Sequence, residues 1–123
     1  MKKVLTVDDS VTIRMVIKRT LAQAGYEVLE APNGAEALKL IENTELHLVI
    51  SDYNMPVMNG LELMTEVKNN PAYKKNKFIP FVMLTAVMGE DLKQKALEVG
   101  ARAYLVKPFQ PQQVLEMVQK LLA

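Results

Sequence analysis

The sequence predicts an α/β fold, a five-stranded parallel sheet with helices on both faces, and three observations predict it. Five short apolar runs recur along the chain, at residues 3–7, 26–31, 46–51, 79–85 and 103–106. Four of them are nearly continuous in Val, Leu, Ile and Met, as expected of strands covered on both faces. Segments of helical period separate the runs, and five strand–helix repeats imply right-handed crossovers.

Each element has its own signal. After the first run, Ile13, Val16, Ile17 and Leu21 fall on one helical face, with Ser10 placed to cap the helix and Gly25 to end it. The second run, YEVLEA, alternates apolar and acidic residues, which suits an edge strand. The second helix begins at Asn33-Gly34 and carries Ala35, Leu38 and Ile41. The third run ends against Asp52, and a third helix after Gly60 carries Leu63, Met64 and Val67. The fourth run closes on Thr85; the helix behind it, GEDLKQKALEVG, has acids in its first turn and Gly100 past its end, as the helix dipole prefers. The fifth helix opens on Pro111, allowed at a first helical position, and runs through Val114, Leu115, Val118 and Leu121 to the last residue.

At 123 residues the chain is expected to be one domain, residues 1–123, without an output domain, and to bury a core without staples. Net charge is +1, so no global field argues for nucleic acid or an acidic membrane as partner. With no cysteine, disulfides and thiolate metal sites are excluded. Asp8 and Asp9 interrupt any leader after the initial MKK, and no apolar run is long enough to span a bilayer, so a cytoplasmic monomer is expected. His47 reads as a surface residue, Lys74, Lys75 and Lys77 as a solvated loop, and the eight methionines as adaptable packing.

Ligands of an open α/β sheet bind beyond the carboxyl ends of its strands. Those ends carry Asp8 and Asp9, Asp52, Thr85 and Lys107, whereas the second strand ends in Ala31-Pro32 and offers nothing reactive. Two carboxylates about 4 Å apart repel by roughly 4 kcal/mol at an effective dielectric near 20. A hard divalent cation, Mg²⁺, relieves that repulsion through oxygen ligands. Acids, cation, the Lys107 ammonium and the Thr85 hydroxyl around one spot describe a phosphoryl-transfer site, with Asp52 as nucleophile. Pro56 pushes Met55 toward extended backbone, which favours that role and turns the Asn54 carbonyl inward as a further metal ligand.

These residues bring a family into view. VDDS after the first strand, SDYNMPVMNG around the third, LTA at the fourth and YLVKPF at the fifth resemble response-regulator receiver domains of the single-domain chemotaxis type, over essentially the whole chain. The resemblance implies a flavodoxin-like sheet of strand order 2-1-3-4-5 and a two-component signalling function. It implies that Asp52 receives a phosphoryl group from a sensor histidine kinase. Asp9 and Asp52 would bind Mg²⁺ with the Asn54 carbonyl, and Asp8 would act through water. Lys107 would contact the phosphoryl group, Thr85 would hydrogen-bond it, and the Ala86 amide would help cradle it. Thr85 and Tyr104 would then switch the surface of the fourth helix, fifth strand and fifth helix. Its output partner would be a flagellar motor switch protein or a histidine phosphotransfer protein, the latter making the chain a phosphorelay shuttle. The Lys107-Pro108 bond would be cis, although only about 5–6% of X–Pro bonds in folded proteins are. Val87 departs from the polar residue many members carry there, a position associated with phosphate lifetime.

A phosphatase of the haloacid dehalogenase type also sets a nucleophilic Asp after a strand. It needs a second Asp two residues on, where this chain has Asn54. The chain is therefore expected to catalyse only its own phosphorylation and dephosphorylation.

Overall fold

A computed structural model describes residues 1–86 and 90–122. The elements are β1 (Lys3–Val7), α1 (Val11–Gln23), β2 (Glu27–Ala31), α2 (Gly34–Asn43), β3 (Leu48–Asp52), α3 (Gly60–Asn69), a short 3₁₀ helix (Pro71–Asn76), β4 (Phe81–Thr85), α4 (Glu90–Val99), β5 (Ala103–Val106) and α5 (Pro111–Leu121). All strand pairs are parallel and the sheet order is β2-β1-β3-β4-β5.

Alternation along the strands divides the core in two. Leu5, Val7, Val49, Phe81 and Met83 pack with Ala37 and Ile41 of α2, Leu63, Met64 and Val67 of α3 and Ala96 of α4. On the other face Val4, Leu48, Ile50, Val82 and Leu84 pack with Ile17 and Leu21 of α1 and Val114 and Val118 of α5. The central strands β3 and β4 are buried at every residue, which accounts for their unbroken apolar runs. β5 is less covered than its sequence suggests, with Val106 44% exposed, because it is the second edge of the sheet.

The expected helix signals are present. Ser10 Oγ accepts from the Ile13 amide, Asn33 caps α2, and Gly25 and Gly100 adopt positive φ beyond α1 and α4. Asn59 and Glu62 add a reciprocal capping box at α3.

Some sequence expectations are corrected. Tyr26, Leu46 and Ile79 precede their strands, and Asp52 belongs to β3 itself. Ala35 is exposed and Ala37 holds its place against the sheet, since α2 buries positions 34, 37 and 41. Val16 is 36% exposed at the edge of the buried stripe of α1. His47 is half-buried, and its Nδ1 accepts the Lys3 amide at 3.0 Å. The lysines of YKKNK are exposed as expected, but Asn76 among them is fully buried. Its side chain accepts from Leu46 N at 2.9 Å and donates to the Ile41 and Thr44 carbonyls at 2.7 and 2.8 Å, tying the end of α2 to the entry of β3.

Candidate functional site

Parallel register sets the tips of four adjacent strands side by side. Val7 lies opposite Ser51, Asp52 opposite Leu84 and Thr85 opposite Val106, so each chain segment leaves the sheet at nearly the same level. The residues at these exits face a common space. Carboxylate oxygens of Asp8, Asp9 and Asp52 lie within 4.8 Å of one another. Asp8 and Asp52 are buried and Asp9 is exposed.

Lys107 enters from the end of β5. Its Nζ sits 3.0 Å from Asp8 Oδ2 and 3.3 Å from Asp52 Oδ1. The lysine amide donates to the Thr85 carbonyl at 2.7 Å, which fixes the backbone that carries it. The following Lys107-Pro108 bond is cis. Asp8 uses its other oxygen, Oδ1, to accept the Ser10 amide at 2.9 Å. Its structural role as a turn former and its place in the acid cluster therefore coexist.

Asp52 is disfavoured as an anion. Burial raises its pKa above the usual value, and the Asp8 charge raises it further. The Lys107 charge, the Lys107 hydrogen bond and the Asn54 backbone N–H act in the opposite direction without overcoming burial. Among the described residues, one ammonium for three clustered acids leaves negative charge in excess. The donor set is all carboxylate oxygen, with no imidazole or thiolate in it, which matches the preference of a hard divalent cation.

The backbone behind Asp52 is tightly specified. The Tyr53 amide donates to the Leu84 carbonyl at 2.7 Å, and the Gly60 amide to the Tyr53 carbonyl at 2.9 Å. A Cβ on Gly60 would lie 2.5 Å from the Asp52 carbonyl oxygen and 2.7 Å from Met83 Sδ. Between them Val57, fully exposed, has φ of 71°. The Met58 amide returns to the Pro56 carbonyl at 2.8 Å, closing a three-residue turn around it.

Thr85 is buried at the tip of β4 and Ala86 is exposed beside it. Tyr104 is half-buried on β5, in register with Met83, and Lys93 Nζ lies 4.9 Å from its ring centre. Val87 lies outside the described residues. A groove of about 490 Å³ bordered by Ile13, Val16, Ala86, Lys107 and Phe109 runs beside the acids.

Sequence reasoning missed the support from α1. Arg14 donates through Nη1 to the Asp8 carbonyl at 2.5 Å and through Nε to Glu30 of β2 at 3.3 Å. Lys18 reaches the other Glu30 oxygen at 3.4 Å. The available signal was a charged residue interrupting the stripe Ile13–Val16–Ile17, one turn after the cap.

A family model described as the response regulator receiver domain matches residues 4–119. The chain is 44% identical to chemotaxis protein CheY1 of Helicobacter pylori, over 98% of this chain and 96% of that protein. Among solved structures it resembles chemotaxis protein CheY4 of Vibrio cholerae, with TM-score 0.90, 44% identity and 98% of each chain covered. It also resembles response regulator TrrA of Thermotoga maritima in complex with Mg²⁺ and BeF, with TM-score 0.83, 37% identity, and coverage of 98% and 99%. Among the described residues, no helix is long and apolar enough to cross a membrane.

Proposed function

Because the chain belongs to the response regulator receiver domain family, which serves two-component signalling, we propose that Asp52 accepts a phosphoryl group and that its phosphorylation switches partner binding. The donor is a phosphohistidine on a sensor histidine kinase. An ionised Asp52 oxygen attacks phosphorus, the new O–P bond forms as the P–N bond breaks, and the imidazole leaves with the bonding pair. Lys107 keeps its positive charge where charge gathers on the transferred oxygens. The Thr85 hydroxyl and the Ala86 amide, at the tip of the adjacent strand, are the donors for those oxygens.

The cluster fits Mg²⁺. Asp9, Asp52 and the Asn54 carbonyl are the residues that would hold it, with Asp8 acting through water. When bound, the ion neutralises the acids and the incoming phosphoryl oxygens. Asp8 orients Lys107, with its own position set by Ser10 and Arg14. The chain takes up one equivalent and has no external substrate to turn over.

The observation that carries this reading is the ammonium of Lys107 lying within 3.3 Å of both Asp8 and Asp52. Residues from opposite ends of the sequence are brought together there, with too few positive charges for the acids. The names of the relatives support a role in chemotaxis, with the sensor kinase upstream. The output partner, a flagellar motor switch protein, docks on the face of α4, β5 and α5, which Tyr104 adjusts.

Intact mass after exposure to acetyl phosphate tests the proposal. One phosphoryl group is expected, dependent on Mg²⁺, mapping to the peptide with Asp52 and absent from Asp52→Asn. Sustained phosphate release from an external phosphomonoester, beyond one equivalent, would instead identify a phosphatase.

A further inference from the structure

Net charge near neutrality conceals local clusters of like charge at the two ends of the sheet. The acids Asp8, Asp9 and Asp52 occupy the carboxyl end of the strands. At the other end Lys68, from the last turn of α3, meets Lys74, Lys75 and Lys77 of the 3₁₀ turn and its exit. Lys68, Asn69, Asn70, Pro71, Lys74 and Lys77 line a shallow depression of about 170 Å³. Among the described residues, no carboxylate lies within ion-pair distance of these four lysines. Glu66, the acid nearest in the chain to Lys68, is taken by Asn70 Nδ2 at 2.6 Å. Lys68 is half-buried, and burial first and the Arg102 charge second lower its pKa.

Beside the depression stands Phe78, 85% exposed, with Lys77 Nζ 5.6 Å from its ring centre. An aromatic side chain left in water at a loop tip, beside a cluster of ammonium groups, has the composition of an interfacial insertion site. The depression is smaller than the pockets of roughly 300 Å³ and upward that hold drug-sized ligands, and suits a single anionic group. Exposed lysine charge beside one projecting aromatic side chain matches an anionic headgroup layer, which takes the ring without a shaped pocket.

We propose that this basic end docks reversibly on an anionic phospholipid surface, lysines to the headgroup phosphates and Phe78 into the interface. Asp52 then faces away from the lipid and stays open to its phosphodonor. Each lysine near such a surface contributes about a fivefold gain in partitioning. Three exposed lysines, Lys74, Lys75 and Lys77, and one aromatic side chain give weak binding, no stronger than one acyl chain, about 10⁴ M⁻¹.

The test is sedimentation of the full chain with phosphatidylcholine vesicles made with and without phosphatidylglycerol. Binding is expected only to the anionic vesicles, and high salt should abolish it. Lys74→Glu/Lys75→Glu should lower the partition coefficient at least about 25-fold, and Phe78→Ser should lower it while leaving the salt dependence. All three positions are exposed, and uptake of phosphoryl from acetyl phosphate reports that each variant is folded. No binding, equal binding to neutral vesicles, or full binding by the double variant overturns the proposal. Binding of a glutamate-rich peptide without binding of vesicles overturns it in favour of an acidic protein partner.

Discussion

Asp52 carries a negative charge that its surroundings disfavour, and its effect on stability therefore depends on pH. Its pKa is raised by burial first and by Asp8 second, so the folded chain holds this proton more tightly than the unfolded chain does. The group therefore favours folding while protonated, and that advantage disappears as pH rises from the ordinary carboxylate value through the raised one. At neutral pH, Asp52→Asn removes the disfavoured charge at constant shape. The expected outcome is a higher urea midpoint for the metal-free variant at pH 7, with the gap to wild type closing as the solution is acidified. An equal or lower midpoint at pH 7 would contradict the electrostatic account.

At the level of elements, the turn from β3 to α3 holds a strained residue close to Asp52, the proposed nucleophile. A β-branched residue at positive φ, as Val57 is, costs on the order of 1–3 kcal/mol. Asn tolerates that conformation, and Val57 is fully exposed. Val57→Asn should therefore raise stability by about 1 kcal/mol in urea melts without altering phosphorylation. Gly60→Ala should do the reverse, costing about 2 kcal/mol or more, since the new methyl meets the Asp52 carbonyl and Met83. Because the obstructed atom is the backbone of Asp52, the proposed phosphoacceptor, the labelling rate should fall together with the urea midpoint. Much of the element order was legible in the sequence, because Ser10, Gly25, Gly100 and Pro111 punctuate it and β3 and β4 are apolar throughout. The 3₁₀ turn was not legible, since Asn76 resembles any loop asparagine until Ile41, Thr44 and Leu46, some thirty residues earlier, bond its side chain. Ala35 and Ala37 are both small and apolar, and only the rotation of α2 against the sheet decides which is covered.

For the whole molecule, the acid site is an association of chain ends that the sheet must hold together. The acids and lysine were readable individually at strand ends. That Lys107 bridges Asp8 and Asp52, and that Arg14 braces Asp8 from α1, depends on register and helix phase, which pattern alone does not fix. With Mg²⁺ at the proposed site, metal binding and global stability become one equilibrium, because the unfolded chain scatters Asp8, Asp9 and Asp52. At ten times its Kd, Mg²⁺ should then stabilise the fold by about 1.4 kcal/mol. Asp9 is exposed and makes none of the ion pairs found at Asp8 and Asp52, so Asp9→Asn should leave the metal-free urea midpoint close to wild type. The variant should nevertheless lose most of the Mg²⁺-dependent increment. Ca²⁺ or Na⁺ at matched ionic strength separates a specific site from general screening of charge. If Mg²⁺ moves the midpoint of wild type and Asp9→Asn equally, the ion acts on the chain's overall charge and the acid cluster is not its binding site.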